Sequence, residues 1–162
     1  MPVLELRDVD ARAVADCVAR FGAVLEHVPP GAAIPGSFWG EPEAGLADRR
    51  VFVRQDTPVH SLLHELCHFV CMTAARRQSL LRDAGGDADE ECAVCCLQVL
   101  LADTLPGVGR ERLLRDMDAW GYSFREGSAS AWWRGDASFA RAWLLERGLI
   151  DAGLRVTGRL RT

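Results

Sequence analysis

A chain of 162 residues suits one domain with a single core, and 49% hydrophobic with 26% charged residues is an ordinary globular balance. A net charge of −4 lacks the basic face that a general nucleic-acid or membrane-surface binder needs. No apolar run approaches the ~20 residues that span a bilayer, and charge enters at Glu5, too early for a signal peptide, so a soluble, cytoplasmic protein is expected. Thiols stay reduced in that compartment. The six cysteines (Cys17, Cys67, Cys71, Cys92, Cys95, Cys96) are therefore expected as small buried hydrophobes or ligands and not as a disulfide framework.

In chain order, Val3–Leu6 alternates like a short strand, and Asp8 or Asp10 can cap a helix over 10–21, closed by Gly22. Val24–Val28 predicts a second strand, stopped by Pro29-Pro30-Gly31. A Gly/Pro-rich stretch, 31–45, follows, with Ser37-Phe38-Trp39 as a strand inside it; Arg50–Arg54 is the clearest strand. Asp56-Thr57-Pro58 supplies a capping oxygen and a first-turn proline for a helix running to about Ala75. After a loop at 83–87, helices are predicted over 88–104, 110–120 and 137–147. The stretch 123–135 is expected to be loop with a short helical piece, and the last ten residues a polar tail. The expected fold is α+β in a single domain: an α/β lobe (1–55), a helical lobe (56–150) and a tail (151–162).

His64-Glu65-Leu66-Cys67-His68 spells H-E-x-x-H inside the apolar helix. Residues four apart sit one turn above each other, so the two imidazoles can converge on one metal ion. Glu65, about 100° around the helix, can reach a water on that ion.

A catalytic zinc takes three protein ligands and keeps a position for water. Cys71 and Ala74 stand where a longer H-E-x-x-H-x-x-G-x-x-H pattern needs Gly and His, which excludes a downstream histidine ligand. A straight helix cannot bring His60 to the same ion as His64 and His68, so His60 is expected to line the cleft or lie at the surface. Asp87, Asp89, Glu90 and Glu91 open the next helix. One heptad back from Leu97 is Glu90, on the core-facing stripe, which makes Glu90 the favoured ligand. Glu91, in phase with Cys95 and Gln98 on a more polar flank, is the alternative. Asp87 and Asp89 suit an acidic helix N-terminus.

His64–His68 followed by Glu90-Glu91-Cys92-Ala93 resembles the gluzincin branch of the zincin metallopeptidases, in which a later helix supplies a glutamate, often as E-x-x-A; Glu90 with Ala93 fits that form. The short spacing and small size are most similar to compact, soluble bacterial members, including those of the ImmA/IrrE type. The resemblance covers residues 50–102. It implies a minimal zincin-like fold: a small mixed sheet with a backing helix, the motif helix, then a helical half. It also implies a zinc-dependent metallopeptidase acting on peptide or protein substrates, with His64, His68 and Glu90 on Zn2+ and Glu65 as general base toward a metal-activated water. Val94 replaces the acidic or amide residue that often continues the pattern, so the partner that orients a histidine must come from elsewhere: Asp56, Asp87 or a backbone carbonyl. Tyr122 is the candidate oxyanion donor, with Arg125 behind it. The Val51–Arg54 strand is expected as an edge onto which an extended peptide can pair.

Three competing readings stand beside this one. Cys67, Cys71, Cys92 and Cys95 could hold a structural zinc, although small core packing is the simpler role. The domain could bind or regulate a single partner without catalysis, through a surface that includes Trp132-Trp133, Trp120 and Trp143. It could also be an α/β binding domain with no metal.

Overall fold

The structure, a computed structural model, describes residues 2–37, 39–79 and 85–162. Among them are seven helices and a three-stranded mixed sheet, an α+β architecture in the expected order. No helix among them is long and apolar enough to cross a membrane.

The N-terminal segment does not form a strand. Glu5 makes one isolated bridge to Pro58, and Leu6–Asp8 then coil into a 3-10 turn. The Glu5 amide donates to Asp8 Oδ2 at 2.9 Å, which stabilises the turn over extension. Helix α1 (Ala11–Arg20) follows, capped by Asp10 accepting from the amides of Arg12 and Ala13.

Strands β1 (Val24–His27), β2 (Gly45–Ala47) and β3 (Arg50–Val53) are ordered β1-β3-β2, with β1 parallel and β2 antiparallel to β3. The strand expected as a free edge is thus the centre of the sheet. Its backbone groups are taken on both sides, which rules out peptide pairing onto it. β2 had no signal in sequence, and neither Ser37 nor Trp39 is in a strand; Phe38 lies outside the described residues. The turn at 35–37 lies flat on β2. A Cβ on Gly45 would collide with Pro35 O, and one on Gly36 would stand 2.7 Å from Leu46 O. Buried Arg54 pins the long 31–42 stretch by donating to Glu41 (2.8 Å) and the Ala32 carbonyl (2.9 Å), and it also holds Asp56 (2.8 Å).

That last bond removes Asp56 from capping. The motif helix α2 (Val59–Cys71) starts at Pro58 with no side-chain cap. It stops at Met72, short of Ala75, and α3 (Ala74–Ser79) is a separate piece. After Gly85-Gly86, α4 (Ala88–Ala102) begins with Asp87 accepting from the Glu90 amide at 2.8 Å. The helical half continues with α5 (Gly109–Trp120), closed by left-handed Gly121, then α6 (Ala129–Gly135) and α7 (Ser138–Glu146).

The core is centred on α2 packed against α4, which is also flanked by α5 and α7. Leu62, Leu63 and Leu66 of α2 and Val94, Leu97 and Leu101 of α4 are wholly buried. Truncating any of these leucines to alanine costs about 2–5 kcal/mol. Because α4 is covered on nearly every side, it has no single apolar face.

Candidate metal centre

The i,i+4 spacing on α2 places His64 and His68 one turn apart, with their Nε2 atoms 3.1 Å from each other. The third member of the cluster is Glu91. Its Oε1 lies 3.0 Å from His64 Nε2, and its Oε2 lies 3.2 Å from His68 Nε2. Among the described residues, His64, His68 and Glu91 form the one group of three or more His, Cys, Asp or Glu side chains positioned to hold a metal ion. The residues fit zinc: ligands at about 2.0–2.1 Å around a tetrahedral ion stand ~3.3 Å from each other. Two imidazoles with one carboxylate are a catalytic zinc donor set that leaves a position for water.

Glu90, the ligand favoured by helix phase, is elsewhere. Its buried carboxylate accepts from Arg76 (2.7 and 2.9 Å) and from Arg161 (2.8 Å), which tie the start of α4 to α3 and to the C-terminal tail. The reason is geometric. Adjacent helical residues diverge by about 100°, so the residue that points into the core cannot be the one that points at α2's histidines. The site faces the polar flank of α4, made of Glu91, Cys95 and Gln98 at spacings of four and seven.

Gln98, which the sequence reading did not single out, replaces the missing orienting residue. Wholly buried, it donates from Nε2 to the His60 carbonyl (2.8 Å), and a carbonyl can only accept. This turns Oε1 to His64 Nδ1, 3.0 Å away. His64 Nδ1 therefore carries a hydrogen, and Nε2 is the nitrogen that faces the centre. Neither Asp56 nor Asp87 is available for that role, being bound to Arg54 and to the Glu90 amide.

His60 is buried and packs its ring against Trp120 and Tyr122, with centroids 5.2 and 5.3 Å away; it is neither at the surface nor in the cluster. The Tyr122 hydroxyl accepts from Gln98 Nε2 (3.2 Å) and lies 3.1 Å from His60 Nδ1. Burial lowers the His60 pKa to about 3, with the nearby His64 adding to the effect. The imidazole is thus neutral, and Nδ1 and the Tyr122 hydroxyl share one hydrogen bond. Burial raises Tyr122 to about 12, so the phenol keeps its proton. Arg125 is almost fully exposed and pairs with Asp136 at 3.2 Å, away from the cluster.

Glu65, Glu91, His64 and Tyr122 line a cleft of about 510 Å³ whose walls include Trp39 and Trp120. Trp120 Nε1 donates to Glu43 at 2.6 Å, joining the loop before β2 to the end of α5. Burial raises the Glu65 pKa above the ordinary carboxylate range, partly offset by His64 and His68. Burial opposes charge on His64 too, yet that imidazole is held well above its usual value, the Glu91 carboxylate at 3.0 Å accepting from its Nε2. Glu91 falls well below the carboxylate range: burial would raise it, and the hydrogen bonds from His64 and His68 prevail.

All six cysteines are free, and all but Cys92 are buried. Burial drives the thiols of Cys67 and Cys71 far up, which suits inert packing. The chain matches no protein-family model, no curated protein and no solved structure.

Proposed function

We propose that the chain is a zinc-dependent metallopeptidase of zincin type, in which His64, His68 and Glu91 hold the ion and Glu65 is the general base. The convergence of two imidazole nitrogens and a carboxylate within 3.0–3.2 Å, beside an open cleft, carries this reading.

When bound, zinc supplies Lewis acidity toward a carbonyl oxygen and lowers the pKa of water toward ~7. The protein supplies the rest. Glu65, adjacent in sequence to His64 and lining the same cleft, takes a proton from the attacking water and returns it to the departing amine. Its raised pKa moves it toward neutrality, where such a shuttle is effective. Gln98 holds His64 in the tautomer that presents Nε2. Tyr122 lines the cleft, and its hydroxyl hydrogen can turn about the C–O bond toward a developing oxyanion without moving the ring. Trp39 and Trp120 line the same cleft and offer aromatic surface to the peptide.

The test is hydrolysis of unstructured, casein-like peptides by zinc-loaded wild type and by Glu65→Gln. Activity in the wild type that falls at least a hundredfold in the variant, with zinc retained, supports the reading; equal activity in both contradicts it.

A further inference from the structure

A second cavity, about 700 Å³, opens beside the metal centre between the start of α4, the 122–126 loop and the α6–α7 junction. It shares Glu91, Tyr122 and Ser123 with the cleft that holds His64 and Glu65, so the two adjoin at the proposed ligand. Its floor is aromatic. Phe124 stacks on Trp132 with centroids 4.8 Å apart, and Phe139 stands 60% exposed, a large apolar ring left open to water.

The rim is acidic. Among the described residues it carries, beyond Glu91, Asp89, Glu126 and Asp136, against one cation, Arg125. Arg125 pairs with Asp136, and Glu126 lies within hydrogen-bonding reach of that same Asp136. Among the described residues, Arg125 is the one cation lining the cavity, and its ion pair is with Asp136. An aromatic floor under an under-neutralised acidic rim complements a long side chain with an apolar stem and a cationic head.

We propose that this cavity is a specificity subsite that takes an arginine or lysine side chain of the peptide, on one side of the bond presented to Glu65. The proposal rests on the peptidase reading for the position of that bond, while its charge preference is a property of the cavity itself. The stem lies over Phe124 and Phe139, and the head meets Glu126 and Asp136. A glutamate in the same place meets like charge and is rejected.

The experiment measures binding, by fluorescence anisotropy, of matched peptides that differ only in Arg, Lys, Leu or Glu at one position scanned along the sequence. The protein is Glu65→Gln with one equivalent of Zn2+, with and without Glu126→Gln/Asp136→Asn, at a half-buried and an exposed position. At one register, Arg and Lys peptides bind about tenfold tighter than Leu, and Glu binds weakest. High salt reduces the preference, and the double substitution abolishes it. Equal binding of the four peptides at every register, a preference that survives the double substitution, or no measurable binding each overturns the subsite. Hydrolysis by the wild type is scored separately. Binding with the stated preference but no cleavage contradicts the peptidase reading alone, and cleavage without preference contradicts the subsite alone.

Discussion

His64 Nδ1 and Gln98 Oε1 stand 3.0 Å apart, and Gln98 reaches that nitrogen from the same flank of α4 that carries Glu91. One helix face therefore supplies both a proposed ligand and the group that orients another. Gln98→Met keeps the volume and removes the amide. Zinc affinity is expected to fall by about 10–100-fold, the usual cost of losing an orienting partner. Isothermal titration with Zn2+ measures it, alongside a urea melt, since His64 Nδ1–H left without an acceptor also costs about 1–3 kcal/mol. Unchanged zinc affinity in folded Gln98→Met would show that the orientation of His64 has another source.

Tyr122→Phe separates the two parts the tyrosine plays. If its hydroxyl serves the reaction, kcat for peptide hydrolysis falls by about a hundredfold while KM barely moves. A purely structural tyrosine lowers the melting temperature and leaves kcat per zinc-loaded molecule unchanged.

Zinc uptake is expected to release protons. His64, held above the ordinary imidazole pKa, carries a proton at neutral pH in the metal-free protein, and a ligand imidazole must be neutral. Affinity should therefore rise with pH across 6 to 8. Titrations in buffers of differing ionisation enthalpy should report about one proton released per zinc at pH 7. Release of none would contradict the charged His64–Glu91 pair.

His60 gives stability a separate pH dependence. Its folded pKa is about 3 because of burial, against ~6.5 in an unfolded chain. Between those values the unfolded chain binds a proton that the folded chain does not. Stability from this group is therefore intact above pH 6.5 and is lost as pH falls, at up to about 1.4 kcal/mol per pH unit. Urea melts from pH 7 to 4 should show His60→Phe losing about 3 kcal/mol less than wild type over that range. Parallel losses in the two proteins would contradict a neutral, buried His60.

The motif and the helices were legible because their signals are local. H-E-x-x-H needs only the helical period, and Asp10 and Asp87 cap where a capping residue belongs. The choice between Glu90 and Glu91 failed because phase along α4 reports the core, and a helix buried on nearly all sides has no single face to read. The usable clue was Gln98, a polar residue in an otherwise apolar helix, two turns from Glu91. The sheet was misjudged for a different reason. β3 is central only through pairing with the distant β1 and with three residues, Gly45–Ala47, whose strand character comes from Gly36 and Gly45 permitting close approach.

The central claim, that His64, His68 and Glu91 hold a divalent ion, is tested most directly by zinc stoichiometry in wild type, Glu91→Gln and Glu90→Gln after purification and dialysis. One zinc per chain is expected in the wild type and in Glu90→Gln, and little or none in Glu91→Gln. Glu90→Gln should instead lose about 3 kcal/mol of stability, as Arg76 and Arg161 lose their buried carboxylate. A wild type that binds no zinc, or a Glu91→Gln protein that keeps a full equivalent, would contradict the account.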